Sequence, residues 1–153
     1  MSDLNEVLSI WGKYVKSLEN WQSLVDGVAP KQTGCGPVYE LENPIPDRPN
    51  EGFAIVDMRQ IDISEPHKHI NGDTEIYFVI QGTGKAEVGN DLFDMQPDSV
   101  IITKPNTIHI VVPRKDLVIA AVNTPPFNPE NYVVLDKTDQ GVAKMIVKLR
   151  AES

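Results

Sequence analysis

The sequence predicts an all-β sandwich or barrel carrying one α-helix at its N-terminus. From residue 37 onward, short runs rich in Val, Ile, Tyr and Phe recur between turn signals, the texture of many short strands. Ahead of them, Leu4, Val7, Leu8, Trp11, Val15, Leu18, Trp21, Leu24 and Val25 fall at i, i+3/i+4 spacing and make one apolar helical stripe. A length of 153 residues, 41% hydrophobic and 24% charged, suits one domain with an ordinary core.

The elements follow in chain order. The stripe over 4–25 suits a helix laid on the domain or buried against a second subunit. A membrane-surface helix would want a strongly basic polar face, and only Lys13 and Lys16 stand there. Residues 1–36 are therefore read as helix and connector, and 37–153 as the barrel with its C-terminal strands. Candidate strands are "PVYELE", "GFAIVDMRQIDI", "EIYFVIQG", "GKAEVG", "SVIIT", "IHIVV", "LVIAAV", "NYVVL" and "MIVKL". Proline lacks the ladder donor, so "NPIPDRP" (43–49) is an extended arm or edge and "NTPPFNPEN" (123–131) a loop leaving the barrel.

Charge and composition exclude some partners. A net charge of −8 and a pI near 4.8 argue against nucleic acid, which wants clustered Lys and Arg. No apolar run reaches the roughly 18–20 residues that span a bilayer, and "MSDLNEVLSI" lacks the order of a signal peptide. The single cysteine, Cys35, fits a reducing compartment, so the expected location is cytoplasmic. A reactive thiol would need a positive or helix-terminal setting, which "TGCGP" does not display.

The chemistry gathers on histidine. Two of the three histidines, His67 and His69, lie one residue apart. On a strand, residues i and i+2 share a face with Cα atoms roughly 6.5–7 Å apart, so both imidazoles can aim at one ion. Glu75 opens the next strand, whose inward set would be Glu75, Tyr77, Val79 and Gln81. His109 opens "HIVVP". Three imidazoles and one carboxylate suit Fe, Mn, Ni, Cu or Zn rather than Ca or Mg. Asn71-Gly72, however, is the strongest signal for a two-residue hairpin. Such a hairpin would set Glu75 opposite Lys68 and away from the histidines. The metal reading therefore predicts a longer or bulged connection between His69 and Glu75.

These residues resemble the two motifs of the cupins, small double-stranded β-helix (jelly-roll) barrels. The first motif runs G-x5-H-x-H-x3,4-E-x6-G, and His67, His69, Glu75 and Gly82 fill it. The second runs G-D-x4-P-P-G-x2-H and is matched without a gap by "DSVIITKPNTIH" (98–109), ending on His109. Departures are Ile61 at the opening glycine, five residues between His69 and Glu75, and Asp98, Ser99, Lys104 and Asn106 inside the second motif. The resemblance covers 52–125 and implies a jelly-roll barrel in which His67, His69, Glu75 and His109 hold one divalent transition metal per chain. The tail "NTPPFNPENYVVLD" is similar to that of single-domain cupins grouped with mannose-6-phosphate isomerases.

Three functional readings follow. The first is a metal-dependent enzyme on a small polar metabolite, a sugar or sugar-phosphate isomerase, a keto- or hydroxy-acid lyase, or an iron-dependent dioxygenase. The second is a non-catalytic small-molecule binder or sensor. The third is an interaction protein working through its helix. Tyr77 is the candidate catalytic base. Tyr77, Gln81, Val111 and Arg59 are candidate pocket residues, weighed against simple barrel filling and solvation. Cupins commonly pair, so a homodimer is expected, with the helix and proline-rich arm as interface material.

Overall fold

A computed structural model describes residues 3–152. Helix α1 (Leu4–Lys16) opens on Asp3, whose carboxylate accepts from Asn5 N, and carries Glu6 in its first turn and Lys13 and Lys16 in its last, which complements the helix dipole. Asn20 caps a second helix, α2 (Trp21–Val25). The single helix expected over 4–25 is therefore two. Ser17 ends the first by returning its N–H to Lys13 and Tyr14 carbonyls. The stripe continues in phase across the break, which hid it. Val7, Trp11, Val15 and Trp21 are buried against Phe53, Ile55, Ile76, Phe78, Val118, Ala120 and Val122 on the barrel's outer face. The stripe is thus covered by the chain's own sheet.

The strands are β1 (Lys31–Thr33), β2 (Gly36–Leu41), β3 (Gly52–Asp57), β4 (His67–His69), β5 (Thr74–Val88), β6 (Asp91–Met95), β7 (Val100–Thr103), β8 (His109–Thr124) and β9 (Tyr132–Val134). All pairings are antiparallel. The order β1-β2-β3-β8-β4-β9 continues through β5, which pairs with β8 and also with β6 and β7. The result is a curled antiparallel sheet, the all-β double-stranded β-helix with an N-terminal helix. Two pairs of expected strands are single long ones: "EIYFVIQG" and "GKAEVG" are both β5, while "IHIVV" and "LVIAAV" are both β8. The β5–β8 ladder shifts register around Val79, Gln81, Thr83 and Gly84, so each long strand turns without ending. Of "GFAIVDMRQIDI", only 52–57 is strand.

Gly82 sits at this crossing with φ +79°, and a Cβ there would stand 2.3 Å from the backbone of Asp116. Gly82→Ala is expected to lower stability by about 1–3 kcal/mol, read as a shifted urea midpoint.

Period-two alternation then sorts the core. On β8, Val111, Ile119 and Ala121 face the interior with Tyr77, Val79, Ala86 and Met95. Val118, Ala120 and Val122 lie under α1, whereas Ile110 and Val112 lie under a third helix, α3 (Gln140–Glu152). Because both faces of β8 are covered at each end, it reads as two apolar runs, 110–112 and 117–122, parted by the exposed Arg114, Lys115 and Asp116.

Helix α3 corrects the strand expected at "MIVKL". Val142, Met145, Ile146 and Leu149 share one helical face against the barrel, while Val147 is 69% exposed. Met145, Val147 and Leu149 also alternate at period two, so both periods fitted. Residues 43–49 contain no strand. The second proline-rich stretch leaves β8 at Thr124 and then turns back through a 3-10 turn at Pro129–Asn131, so that β9 pairs with β4. No helix among the described residues is long and apolar enough to cross a membrane.

Candidate metal centre

Strand β4 carries His67 and His69 on its inner face, both 2% exposed, as i and i+2 require. His109 opens β8 directly beside His67. Glu75 lies on β5, across from Asn123 of β8. Asn71 and Gly72 do adopt the positive φ of a tight turn, +60° and +87°. Strands β4 and β5 nevertheless do not pair with each other: β4 sits between β8 and β9, β5 between β7 and β8. Residues 70–73 cross from one to the other, so hairpin register does not apply and Glu75 faces the histidines. Asn131 holds this link, bonding Asn71 at 2.7 Å and Asp73 at 3.1 Å and accepting from Ile70 N at 2.8 Å.

The donors converge on one carboxylate oxygen. Glu75 Oε1 lies 3.0 Å from His109 Nε2, 3.2 Å from His69 Nε2 and 3.8 Å from His67 Nε2. One ligand atom from each residue lies within 4.8 Å of all the others, so the buried cluster could hold a metal ion. Donors sharing one ion at bonds of about 2.1 Å stand roughly 3.0–3.4 Å apart, close to this spacing. The far sides of two rings are occupied: His67 Nδ1 lies 3.0 Å from Glu65 O and His109 Nδ1 3.2 Å from Thr107 O. A carbonyl accepts only, so Nδ1 carries the proton in each and Nε2 is free to ligate. His69 is buried with neither nitrogen hydrogen-bonded, its 3.2 Å approach to Glu75 lacking hydrogen-bond alignment. An orphaned buried imidazole is costly unless something else binds it. The donor set therefore fits a transition metal.

Electrostatics agree with a site built around Glu75. Burial would raise its carboxyl, but the imidazoles of His109, His67 and His69 around it hold it well below the usual carboxylate range. Burial pushes His109 down to about 4, helped by the charge of His67. Burial also opposes the charged form of His67, yet Cys35 and Glu75 overcome it and carry that imidazole to about 10.

A cavity of about 420 Å³ opens from this cluster. Tyr77 lines it, its ring 5.8 Å from that of His109. Burial first, and then Glu75, push the Tyr77 hydroxyl well above its ordinary range. That suits a hydrogen-bond donor better than a general base. Val111 is buried in the barrel core rather than on the cavity wall. Gln81 does not face inward. The ladder passes from Val79↔Ile119 to Gln81↔Val118, and the extra residue turns Gln81 outward. There it accepts from Trp21 Nε1 at 2.9 Å and donates to Asp116 O at 3.0 Å, which ties α2 to the barrel. Arg59 is also outside the cavity, bound to both oxygens of Asp57 at 2.9 and 2.8 Å and stacked over Trp21.

Other residues enter the site unannounced. Asn123 Nδ2 lies 3.4 Å from Glu75 Oε2. Tyr132 donates to Glu65 and packs its ring 4.7 Å from that of His67. Cys35 Sγ lies 4.0 Å from His67 Nδ1, the neighbour that "TGCGP" itself could not reveal. Phe127, from the returning proline-rich loop, sets its ring 6.1 Å from that of His69. The missing Cβ of Gly52 makes room for that loop, whose backbone lies 3.3 Å from where the carbon would be.

Comparison with known proteins agrees with this architecture. Residues 55–122 match the family model described as the cupin domain, Cupin_2. No protein of curated function matches the sequence. Among solved structures, a variant of Streptomyces PAC13 with uridine superposes with a TM-score of 0.60 at 12% identity, covering 73% of this chain and 88% of that one. PAC13 is described as a unique nucleoside dehydratase. A predicted oxalate decarboxylase from Thermotoga maritima gives 0.55 at 19%, covering 65% and 95%. KdgF from Halomonas sp. gives 0.53 at 17%, covering 61% and 81%. At these identities the likeness is one of fold. The chain is thus similar to the cupin domain over 55–122, and it shares the fold of these solved structures.

Proposed function

We propose that the chain is a metal-dependent enzyme acting on a small metabolite, with one divalent transition-metal ion held by His67, His69, Glu75 and His109. The observation that carries this is the buried convergence of three Nε2 atoms on Glu75 Oε1, with His69 left without a hydrogen bond. A bound metal would act as a Lewis acid on a hydroxy-carbonyl or carboxylate oxygen. Around it, Glu65 and Thr107 carbonyls fix the imidazole tautomers, Asn123 steadies the outer oxygen of Glu75, and Tyr77 can donate a hydrogen bond. An aldose–ketose isomerisation moves a proton between carbons and needs a base. Tyr77 suits donation better than that role, and a keto- or hydroxy-acid lyase that cleaves a C–C bond, needing no such abstraction, is the better reading. Beyond the ligands the cavity floor offers only Tyr77, Asn123 and Tyr132 among the described residues, which favours a second reading, a non-catalytic binder.

Turnover decides between them. Metal-loaded protein incubated with hydroxy acids, keto acids and aldoses is expected to convert a hydroxy or keto acid by NMR without consuming O2. O2 uptake by an iron-loaded sample would move the reading to a dioxygenase, and tight binding without turnover to a binder. Asn123→Ala is expected to weaken metal affinity about 10–100-fold in calorimetry. Affinity should also fall as pH is lowered, because protons compete for the imidazoles. The homodimer and the cytoplasmic location are carried as proposals. The helical stripe, once the interface material, is covered by the barrel, so a dimer in gel filtration would have to use another face.

A further inference from the structure

The cavity is divided by chemistry. Its floor holds His67, His69 and Glu75 with Tyr77, Asn123 and Tyr132, and His109 lies behind them. Its walls are Val38 of β2, Ala54 and Val56 of β3, Ala121 of β8 and Phe127 of the returning loop. Apart from the floor, the charged residues lining it are Lys31 and Glu40, among the described residues. They neutralise each other, with Lys31 Nζ 3.0 Å from Glu40 Oε2. Arg59, a cation the sequence suggested for the pocket, is outside and bound to Asp57. A phosphate group carried past this exposed pair into the cavity would meet the aliphatic walls and lose its hydration, with no further cation among the described lining residues.

Resting on the metal reading above, we infer that the ligand of this site is an unphosphorylated acid or hydroxy-carbonyl compound with an apolar body. Its oxygens meet the metal and its hydrocarbon part lies between Val56 and Phe127. A volume of about 420 Å³ is far larger than a three-carbon acid needs, and burying hydrocarbon against such walls is favourable. This departs from a sugar phosphate on both counts.

The test is calorimetry on metal-loaded protein with pyruvate, 2-oxobutanoate, 2-oxohexanoate and 2-oxooctanoate, and with mannose against mannose 6-phosphate. The dissociation constant is expected to fall about fourfold for each added methylene, and mannose 6-phosphate to bind no tighter than mannose. Phe127→Ala should flatten the chain-length series while leaving metal content unchanged. Metal analysis of the same samples separates the two levels of the argument. Protein that cannot be loaded overturns the metal reading and the chelated head with it. Loaded protein with a flat series, or binding mannose 6-phosphate about tenfold more tightly than mannose, overturns the apolar-body inference alone.

Discussion

His109→Ala protein is expected to lose its metal, with affinity lower by on the order of 100-fold or more. Removing even an outer hydrogen-bond partner of a ligand costs 10–100-fold, and His109 is itself the ligand nearest Glu75 Oε1, at 3.0 Å. Calorimetric titration against wild type reads this directly. A thermal measurement gives an independent view. Free metal at about a thousand times its dissociation constant should stabilise wild type by about 4 kcal/mol, and a variant with 100-fold weaker affinity by no more than about 1.4 kcal/mol. His67→Ala and His69→Ala are expected to behave alike. A His109→Ala protein that kept full metal content would show that the ion, if any, sits elsewhere.

Trp11→Ala is expected to cost about 3–5 kcal/mol, the range for deleting a buried aromatic side chain. Trp11 is 0% exposed. Its ring packs 5.1 Å from Phe53, and its Nε1 donates to Glu51 at 3.3 Å. The loss would be seen as a lower urea midpoint with little change in slope. It should leave metal affinity almost intact, because α1 lies on the outer face of the sheet whose other face carries the cluster. A small effect would mean that α1 is not an integral part of the core.

The four metal-cluster residues were legible because their arrangement is local in kind. His67 and His69 need only the alternation of one strand, and Glu75 and His109 lie at the starts of β5 and β8. Strands β5 and β8 were legible as strands but not as single ones, since a bulge looks like a break when only composition is visible. That same bulge misplaced Gln81: period two was carried through an extra residue, and the face changed. Helix α3 failed through ambiguity, because 145, 147 and 149 alternate while 142, 145, 146 and 149 repeat helically. Asn71-Gly72 adopts the tight turn its composition signals, and the connection is longer than a two-residue hairpin, as the metal reading requires, because β4 pairs with β8 and β9 while β5 pairs with β7 and β8. Phe127, Tyr132 and Cys35 could not be found in this way. They reach the site only after the chain returns from about 60 residues beyond, or 30 before, the histidines. The proline-rich loop signalled a turn, but not where it would come back.

Elemental analysis of purified protein, before and after reconstitution with Fe, Mn, Ni, Cu and Zn, tests the central claim most directly. The donor geometry at Glu75 predicts one transition-metal ion per chain, lost on substituting any of the three histidines. Wild-type protein that is folded yet stays metal-free with every one of these ions would contradict it.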